Sequence, residues 1–199
     1  MGGEKVLANI KGVVFDMDGT LTDSPLDFSL IRAECGVPQG QPVLEFLQRA
    51  PEAERQRAEA VLDRHERRAA EDCTLREGAR EVTEELLRRG LKTALLTRNS
   101  AESVQTVLRR FGLRFSLWLS REHAEPKPSP QPVLKIAEAL GLAPAELLVV
   151  GDYIFDVEAG RAAGARTAFV KSRAGAEPPA EVDMVIVELR ELLDALPPV

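Results

Sequence analysis

The sequence predicts an α/β protein whose core is a doubly wound parallel sheet with a small helical insertion after the first strand. Short, continuously apolar runs alternate with amphipathic helical patterns, which is typical of a parallel sheet covered by helices on both faces. Residues 26–73 interrupt this alternation because they contain helical patterns but no convincing strand. We therefore expect an α/β core formed by residues 1–25 and 74–199, and a helical insertion formed by residues 26–73.

Six short apolar runs predict the strands of the core. The first run is followed directly by an acidic, glycine-containing turn, so we expect a buried strand that ends in a loop at Asp16. The later runs are each separated from the next by a helical pattern or a loop. The six predicted strands cover residues 13–15, 93–96, 117–119, 147–150, 167–170 and 184–187.

Capping residues predict where several helices begin and end. Asn99 followed by Glu102 resembles a capping box at the start of a helix that ends at Gly112. Ser129 is expected to cap the next helix, with Pro130 at its first helical position. The apolar stripe of that helix covers residues 133–140. Further helices are predicted at residues 77–89 and 156–163 of the core, and at residues 43–48 and 52–72 of the insertion. The apolar face of the longest helix is narrow and surrounded by charge, so we expect it to pack lightly.

Composition excludes several classes of protein. The 199 residues are 44% apolar and 29% charged, and 26 basic against 32 acidic side chains give a net charge of −6, which argues against a nucleic-acid-binding surface. Two distant cysteines, Cys35 and Cys73, and two histidines predict neither a disulfide framework nor a zinc cluster. The first apolar run ends at Asp16, too early for a signal or membrane-spanning helix. We expect a cytoplasmic monomer or homodimer without a membrane partner.

Polar residues follow the predicted strands at the edge where parallel sheets bind ligands. Asp16 and Asp18 follow the first strand, Thr97 follows the second, and Asp152 follows the fourth. Lys127 lies in the loop after the third strand, and Asp156 lies early in the helix after the fourth. Clustered carboxylates repel one another unless a cation lies between them, and Mg²⁺ prefers such oxygen ligands together with phosphate oxygens. The pattern therefore predicts a magnesium site that binds a small phosphorylated metabolite.

These residue types suit phosphoryl transfer. An aspartate can attack phosphorus to form an aspartyl-phosphate, which divides one difficult displacement into two easier ones. Lys127 and Thr97 would stabilise charge on the transferring group. Asp18, two residues beyond Asp16, could protonate the leaving group and later deprotonate water.

The same residues resemble the four motifs of the haloacid dehalogenase-like superfamily. The sequence DMDGTLTDS, which begins at Asp16, resembles motif I. Thr97, Lys127 and the segment from Asp152 to Asp156 resemble motifs II, III and IV, in the order of the family. The insertion lies where that family places its helical cap, and the chain most resembles the phosphoglycolate phosphatase-like subgroup, with a shorter cap.

The resemblance implies a role for each motif residue. Asp16 would be the nucleophile and a Mg²⁺ ligand, and Asp18 would be the general acid and base, binding the metal through its main-chain carbonyl. Asp152 would supply a carboxylate ligand, while Asp156 would support either the metal's waters or Lys127. Thr97 and Lys127 would hold the phosphoryl oxygens, together with the motif II loop residues Arg98 and Asn99. Arg98 stands where many relatives carry asparagine.

Two further activities use a similar site. A phosphomutase of the same superfamily would use the same residues but keep the phosphoryl group for a second hydroxyl. A receiver-like signalling module would also combine a magnesium pocket, a threonine and a lysine, although it would have no helical insertion after its first strand. Dehalogenases of the superfamily lack the second aspartate of motif I, so Asp18 favours phosphoryl transfer.

Four other side chains have more than one interpretation. Phe28 and Arg32 follow motif I and either face a substrate or belong to an ordinary amphipathic helix. His65 on the stripe of the long helix is interpreted as a packed or partly solvated side chain rather than a catalytic group. His123, four residues before Lys127, is interpreted as an ordinary loop residue rather than one that approaches the site.

Overall fold

A six-stranded parallel sheet forms the centre of the fold. The computed structural model describes residues 7–171 and 177–196. Its strands are β1 (Gly12–Phe15), β2 (Thr22–Asp23), β3 (Thr74–Leu75), β4 (Lys92–Leu96), β5 (Leu117–Leu119), β6 (Leu147–Gly151), β7 (Arg166–Val170) and β8 (Met184–Ile186). The sheet has the order β5-β4-β1-β6-β7-β8, while β2 and β3 pair with each other in a separate antiparallel ribbon. All six predicted strands are therefore confirmed, with small differences at their ends.

Within the described residues, eight α-helices accompany these strands. They are α1 (Phe28–Cys35), α2 (Val43–Leu47), α3 (Glu52–Asp72), α4 (Ala79–Arg88), α5 (Ala101–Phe111), α6 (Gln131–Leu140), α7 (Ile154–Ala163) and α8 (Glu191–Ala195). A short 3₁₀ turn at Pro144–Glu146 precedes β6. No helix in the described part of the chain is long and apolar enough to cross a membrane.

The residues of β1 show why helices cover both faces of the sheet. Val13 and Phe15 belong to one buried cluster, whereas Val14 belongs to the other, because successive side chains of a strand point to opposite faces. Helices α4, α5 and α8 contribute to the first cluster, and α6 and α7 contribute to the second. The doubly wound architecture predicted from the apolar runs is confirmed.

The register of β1 brings distant loops together. Phe15 pairs with Leu95 of β4 on one side and with Val150 of β6 on the other, in parallel. Because the three strands run in the same direction and in register, the residues that follow them leave the sheet at one edge. Asp16, Thr97 and Asp152 therefore start their loops side by side.

Two of the predicted helix caps are wrong in detail. The N-cap of α5 is Ser100, whose side chain accepts from the backbone N–H of Ser103, and the Asn99 amide instead donates to a carboxylate across the sheet edge. At α6, Pro130 occupies the N-cap position, one residue before the first helical residue, although the Ser129 hydroxyl does accept from the N–H of Gln131. In both cases a serine hydroxyl satisfies an end N–H group, as capping requires.

Three helices, α1 to α3, lie between the paired strands β2 and β3. Their contacts form a small apolar cluster of their own that includes Ile31, Val43 and Leu62. The expectation that α3 packs lightly is wrong for its C-terminal half, because Ala70 lies in the main core and α3 packs against α5 as well as α1. The small alanine side chains in this half let the helix approach the core closely.

Candidate active site

A cavity of about 710 Å³ lies between the ends of the central strands and the helices α1 and α2. All eight residues predicted from the sequence for this site line it. They are Asp16, Asp18, Thr97, Arg98, Asn99, Lys127, Asp152 and Asp156. The topology thus brings together residues that are separated by up to 140 positions, because the strands that carry them are neighbours in the sheet.

Lys127 makes three hydrogen bonds in the floor of the cavity. Its ammonium group donates to Oδ1 of Asp16 at 2.6 Å, to Oδ1 of Asp156 at 2.5 Å and to the carbonyl of Leu96 at 3.0 Å. Burial lowers the pKa of Lys127, but the carboxylates of Asp156 and Asp16 outweigh this effect and raise the pKa to about 12. Lys127 is therefore a fixed positive charge beside two carboxylates.

Three carboxylates form a compact oxygen cluster in this cavity. One oxygen each of Asp16, Asp152 and Asp156 lies within 4.8 Å of the other two. Burial raises the pKa of Asp16 well above its usual range, and the nearby charges of Asp156 and Asp152 raise it further, against the opposing effect of Lys127. Such a set of hard oxygen donors is the kind that binds Mg²⁺, since a cation would relieve the repulsion.

Gly19 allows the motif I loop to pass close to one of these carboxylates. Its φ is +77°, a left-handed conformation that side chains disfavour, and a Cβ at this position would overlap the Asp152 carboxylate. The glycine is thus required both by the turn and by the close approach of the backbone to Asp152.

The Asp18 side chain lies beside this cluster and has its own partners. Its Oδ2 accepts from the Asn99 amide at 2.5 Å, and its Oδ1 accepts from the Thr22 hydroxyl at 3.4 Å. Burial raises the pKa of Asp18, and the Asn99 hydrogen bond is among the contacts that lower it in part. A raised pKa favours a carboxyl that can carry a proton.

Thr97 begins the loop after β4 and is almost completely buried. Its N–H donates to the carbonyl of Leu119 at 3.1 Å, and its hydroxyl accepts from the N–H of Asn99 at 3.2 Å. These contacts tie the start of the loop to the neighbouring strand β5 and to the backbone of Asn99, whose side-chain amide contacts Asp18.

Arg98 lines the cavity, but its guanidinium is engaged by three parts of the protein. It donates to the carbonyl of Lys127 and, at 2.8 Å, to the carboxylate of Glu45 on α2. Its guanidinium carbon also lies 4.9 Å from the centre of the Phe155 ring. In this arrangement Arg98 connects α2 with the loop of Lys127.

The four side chains with alternative interpretations divide into two pairs. Phe28 and Arg32, both on α1, line the cavity, and Phe28 is half exposed. The two histidines are not among its lining residues. His65 lies 3.0 Å from a Glu34 carboxylate oxygen, and His123 contacts the Ser120 hydroxyl at 2.7 Å.

Sequence reasoning missed Glu66, a buried carboxylate of α3 that also lines the cavity. It contacts Arg121 and the start of α5. Its spacing contained a signal, since Glu66 lies four residues after Leu62 and four before Ala70, on the face of the helix that is buried. Because most neighbouring residues of α3 are also charged, the sequence pattern did not distinguish Glu66 from exposed acidic residues.

Comparisons with known proteins agree with this fold and with the family resemblance of the sequence motifs. A family model described as haloacid dehalogenase-like hydrolase matches residues 10–164. An uncharacterized hydrolase of Saccharomyces cerevisiae is 31% identical, with 98% of this chain and 94% of the yeast protein covered. The phosphoglycolate phosphatase of Chromobacterium violaceum is 30% identical, with 96% and 98% covered.

A solved structure shows the same fold. The crystal structure of a predicted phosphoglycolate phosphatase from Haemophilus somnus superposes with a TM-score of 0.75 at 24% identity, covering 94% of this chain and 98% of that one. The family match, the relatives and the fold lead to one conclusion. This chain belongs to the haloacid dehalogenase-like hydrolase family and is a phosphoglycolate phosphatase-like enzyme of that family.

Proposed function

We propose that this enzyme is a Mg²⁺-dependent phosphatase that hydrolyses the phosphomonoester of a small metabolite through an aspartyl-phosphate on Asp16. The observation that carries the proposal is the contact of Asp16 with Lys127 at 2.6 Å, inside a cavity where Asp152 and Asp156 complete an oxygen cluster. A nucleophilic carboxylate next to a fixed ammonium group is suited to attack a phosphoryl group whose oxygens carry negative charge.

The residues present fit a magnesium ion. Asp16 and Asp152 would bind it through carboxylate oxygens and Asp18 through its main-chain carbonyl, while Asp156 would hold Lys127 in place. The raised pKa of Asp16 supports this assignment, because a cation among the three carboxylates would favour their charged forms. When bound, the ion supplies positive charge that offsets the charge of the phosphoryl oxygens.

The residues of the chain account for both chemical steps. In the first, an Asp16 oxygen forms a bond to phosphorus, the bond to the leaving oxygen breaks with its electron pair, and Asp18 donates a proton to that oxygen. In the second, Asp18 takes a proton from water, whose oxygen attacks phosphorus and releases phosphate from Asp16. Thr97, Asn99 and Lys127 line the space in which the phosphoryl oxygens would be held.

The helical segment would act as a cap over this site. We propose residues 26–73 as the cap and residues 1–25 and 74–199 as the core, since α1 and α2 line the cavity opposite the strand ends. Arg98 and Arg32 would contact substrate from the two sides. Two free cysteines, Cys35 and Cys73, suit a reducing compartment, and we place the enzyme in the cytoplasm. We propose that it acts as a monomer or a homodimer.

Release of p-nitrophenol from p-nitrophenyl phosphate tests the proposal. We expect turnover with Mg²⁺, none with a chelator, and a loss of about three orders of magnitude or more for Asp16→Asn. Asp194→Asn, an exposed change on α8, serves as the matched control and should retain full activity.

Other outcomes would favour the alternative activities. Folded wild-type protein that hydrolyses no phosphomonoester across a broad panel would overturn the phosphatase proposal. A long-lived phosphoaspartate would then indicate a receiver-like module, and transfer of the phosphoryl group to a second sugar hydroxyl would indicate a phosphomutase.

A further inference from the structure

Glu66 is a buried carboxylate that neither step of the proposed reaction uses. It lies on α3, is 3% exposed, and both of its oxygens accept from one Arg121 nitrogen at 2.6 Å. Oε2 also accepts from the backbone N–H of Ser100 at 3.0 Å. A buried charge with this many charge-assisted hydrogen bonds holds its partners in one geometry.

Glu66 and Arg121 together hold three successive backbone groups of the loop after β4. The Arg121 side chain donates to the carbonyl of Arg98 at 3.4 Å, and the Arg121 N–H donates to the carbonyl of Asn99 at 3.2 Å. Glu66 accepts from the next N–H, that of Ser100. The backbone of residues 98–100 is thereby tied to α3 and to Arg121.

The loop of residues 98–100 carries the Asn99 side chain, which reaches the proposed reaction centre. The Asn99 amide donates to Oδ2 of Asp18 at 2.5 Å, and Asp18 is the proposed proton donor and acceptor. A short hydrogen bond of this kind is lost when the backbone moves by about 1 Å, and a displacement of that size can cost about 100-fold in rate.

We propose that Glu66 is a positioning residue for the phosphatase reaction: a carboxylate of the helical insertion holds residues 98–100, and through Asn99 it orients Asp18. This inference rests on the proposed function. It gives the insertion a role beyond covering the cavity, because a side chain of α3 helps to hold the loop in position.

Neighbouring contacts provide matched controls. Arg67 of α3 pairs with Glu102 of α5 at 3.0 Å on the surface, where both side chains are more than half exposed. Asp63 also contacts Arg121, at 2.5 Å, but accepts nothing from residues 98–100 in the described structure. Changes at Glu102 or Asp63 therefore remove a link to α3 or to Arg121 without releasing Ser100.

The kinetic test compares Glu66→Ala and Glu66→Gln with wild-type enzyme on p-nitrophenyl phosphate at saturating Mg²⁺. We expect kcat to fall about 10- to 100-fold for Glu66→Ala with KM within about threefold, and to recover in part for Glu66→Gln, which returns an acceptor for the Ser100 N–H. Glu102→Gln and Asp63→Asn should keep a kcat close to that of the wild type.

A double-mutant cycle separates positioning from stability. If Glu66 acts through Asn99, then Glu66→Ala should lower kcat by much less in an Asn99→Ala background than in the wild type. Equal losses of kcat in both backgrounds, or a lower melting temperature with unchanged kcat, would overturn the proposal.

Amide hydrogen exchange tests the same contact without catalysis. In Glu66→Ala we expect the Ser100 N–H to exchange at least about tenfold faster than in the wild type, while amides of β6 keep their protection. Unchanged exchange at Ser100 would refute the positioning role even if the wild-type enzyme proved inactive. If the wild-type enzyme has no phosphatase activity but Ser100 exchanges faster in Glu66→Ala, the proposed function is rejected. The contact by which Glu66 holds the loop is then still supported.

Discussion

The Lys127 ammonium lies 2.6 Å from Oδ1 of Asp16, although the two residues are 111 positions apart in the chain. Both side chains are largely buried, and Asp156 contacts the same ammonium. This arrangement puts two carboxylates within reach of one fixed cation at the end of the central strand.

Removal of that cation should destabilise the protein. In Lys127→Met the carboxylates of Asp16 and Asp156 lose their buried partner, and such a loss costs about 3–5 kcal/mol of unfolding free energy. Mg²⁺ should recover part of the loss, because a cation would again lie among the carboxylates. Urea unfolding with and without Mg²⁺ measures both effects. Lys135→Met, an exposed change on α6, is the control, and an equal loss there would contradict the prediction.

The proposed role of Asp18 predicts a dependence on the leaving group. Asp18→Asn removes the proton donor, so hydrolysis of an alkyl phosphate should fall by about 100-fold or more. The loss should be smaller for p-nitrophenyl phosphate, since p-nitrophenolate leaves without a proton. Steady-state kcat values on the two substrates test this. Similar losses on both would argue that Asp18 has no acid role.

Gly19 and Gly40 provide a matched pair for the close approach to Asp152. Both have positive φ values, +77° and +82°, so alanine costs about 1–2 kcal/mol of backbone strain at either position. A Cβ at Gly19 would also overlap the Asp152 carboxylate, whereas a Cβ at Gly40 would meet nothing within 4 Å. We expect Gly19→Ala to lose most phosphatase activity and Gly40→Ala to keep it. Comparable activity in the two variants would contradict the prediction, because it would show that the Asp152 carboxylate can move away from a Cβ at residue 19 without loss of activity.

Glu85 predicts a pH dependence of stability outside the site. Hydrogen bonds from Arg88 and Arg89 lower the pKa of Glu85 from 4.5 to about 2. A carboxyl whose pKa is lowered in the folded state stabilises that state above pH 4.5, and the contribution disappears as the pH falls through about 2. Glu85→Gln should therefore melt below the wild type at pH 6, with the difference closing toward pH 2. Thermal melts from pH 6 to pH 2 measure this difference in melting temperature, with the exposed change Glu84→Gln as the control. A difference between Glu85→Gln and the wild type that stays constant with pH would contradict the prediction.

Much of the fold was predictable because its signals are local. The apolar run before Asp16 has apolar side chains on both faces of a strand, so helices must cover both faces of the sheet. Gly112 and Gly141 supply the left-handed conformation that ends a helix. The ribbon of β2 and β3 was not predicted. Its two-residue strands, Thr22–Asp23 and Thr74–Leu75, have no periodicity to detect and pair only because the fold brings them together.

The site was predictable for a similar reason, and its remaining contacts were not. Motif residues such as Asp16, Thr97 and Asp152 follow apolar runs, so their position at the strand ends follows from sequence order and strand direction. The Asn99 amide was predicted as a helix cap because that is its local preference. Its hydrogen bond to Asp18 depends on the lateral distance between two loops, which no local pattern contains.

The sequence by itself determined the strands, most helices and the polar residues that follow the strand ends. These properties depend on residue type and on spacing within one element, where hydrophobic periodicity and capping act. The tertiary structure decided which charges share a partner: Asp16 and Asp156 at Lys127, and Glu66 at Arg121. Pairing of buried charges requires the packing of separate elements to bring them within hydrogen-bond distance, and that packing depends on the whole chain.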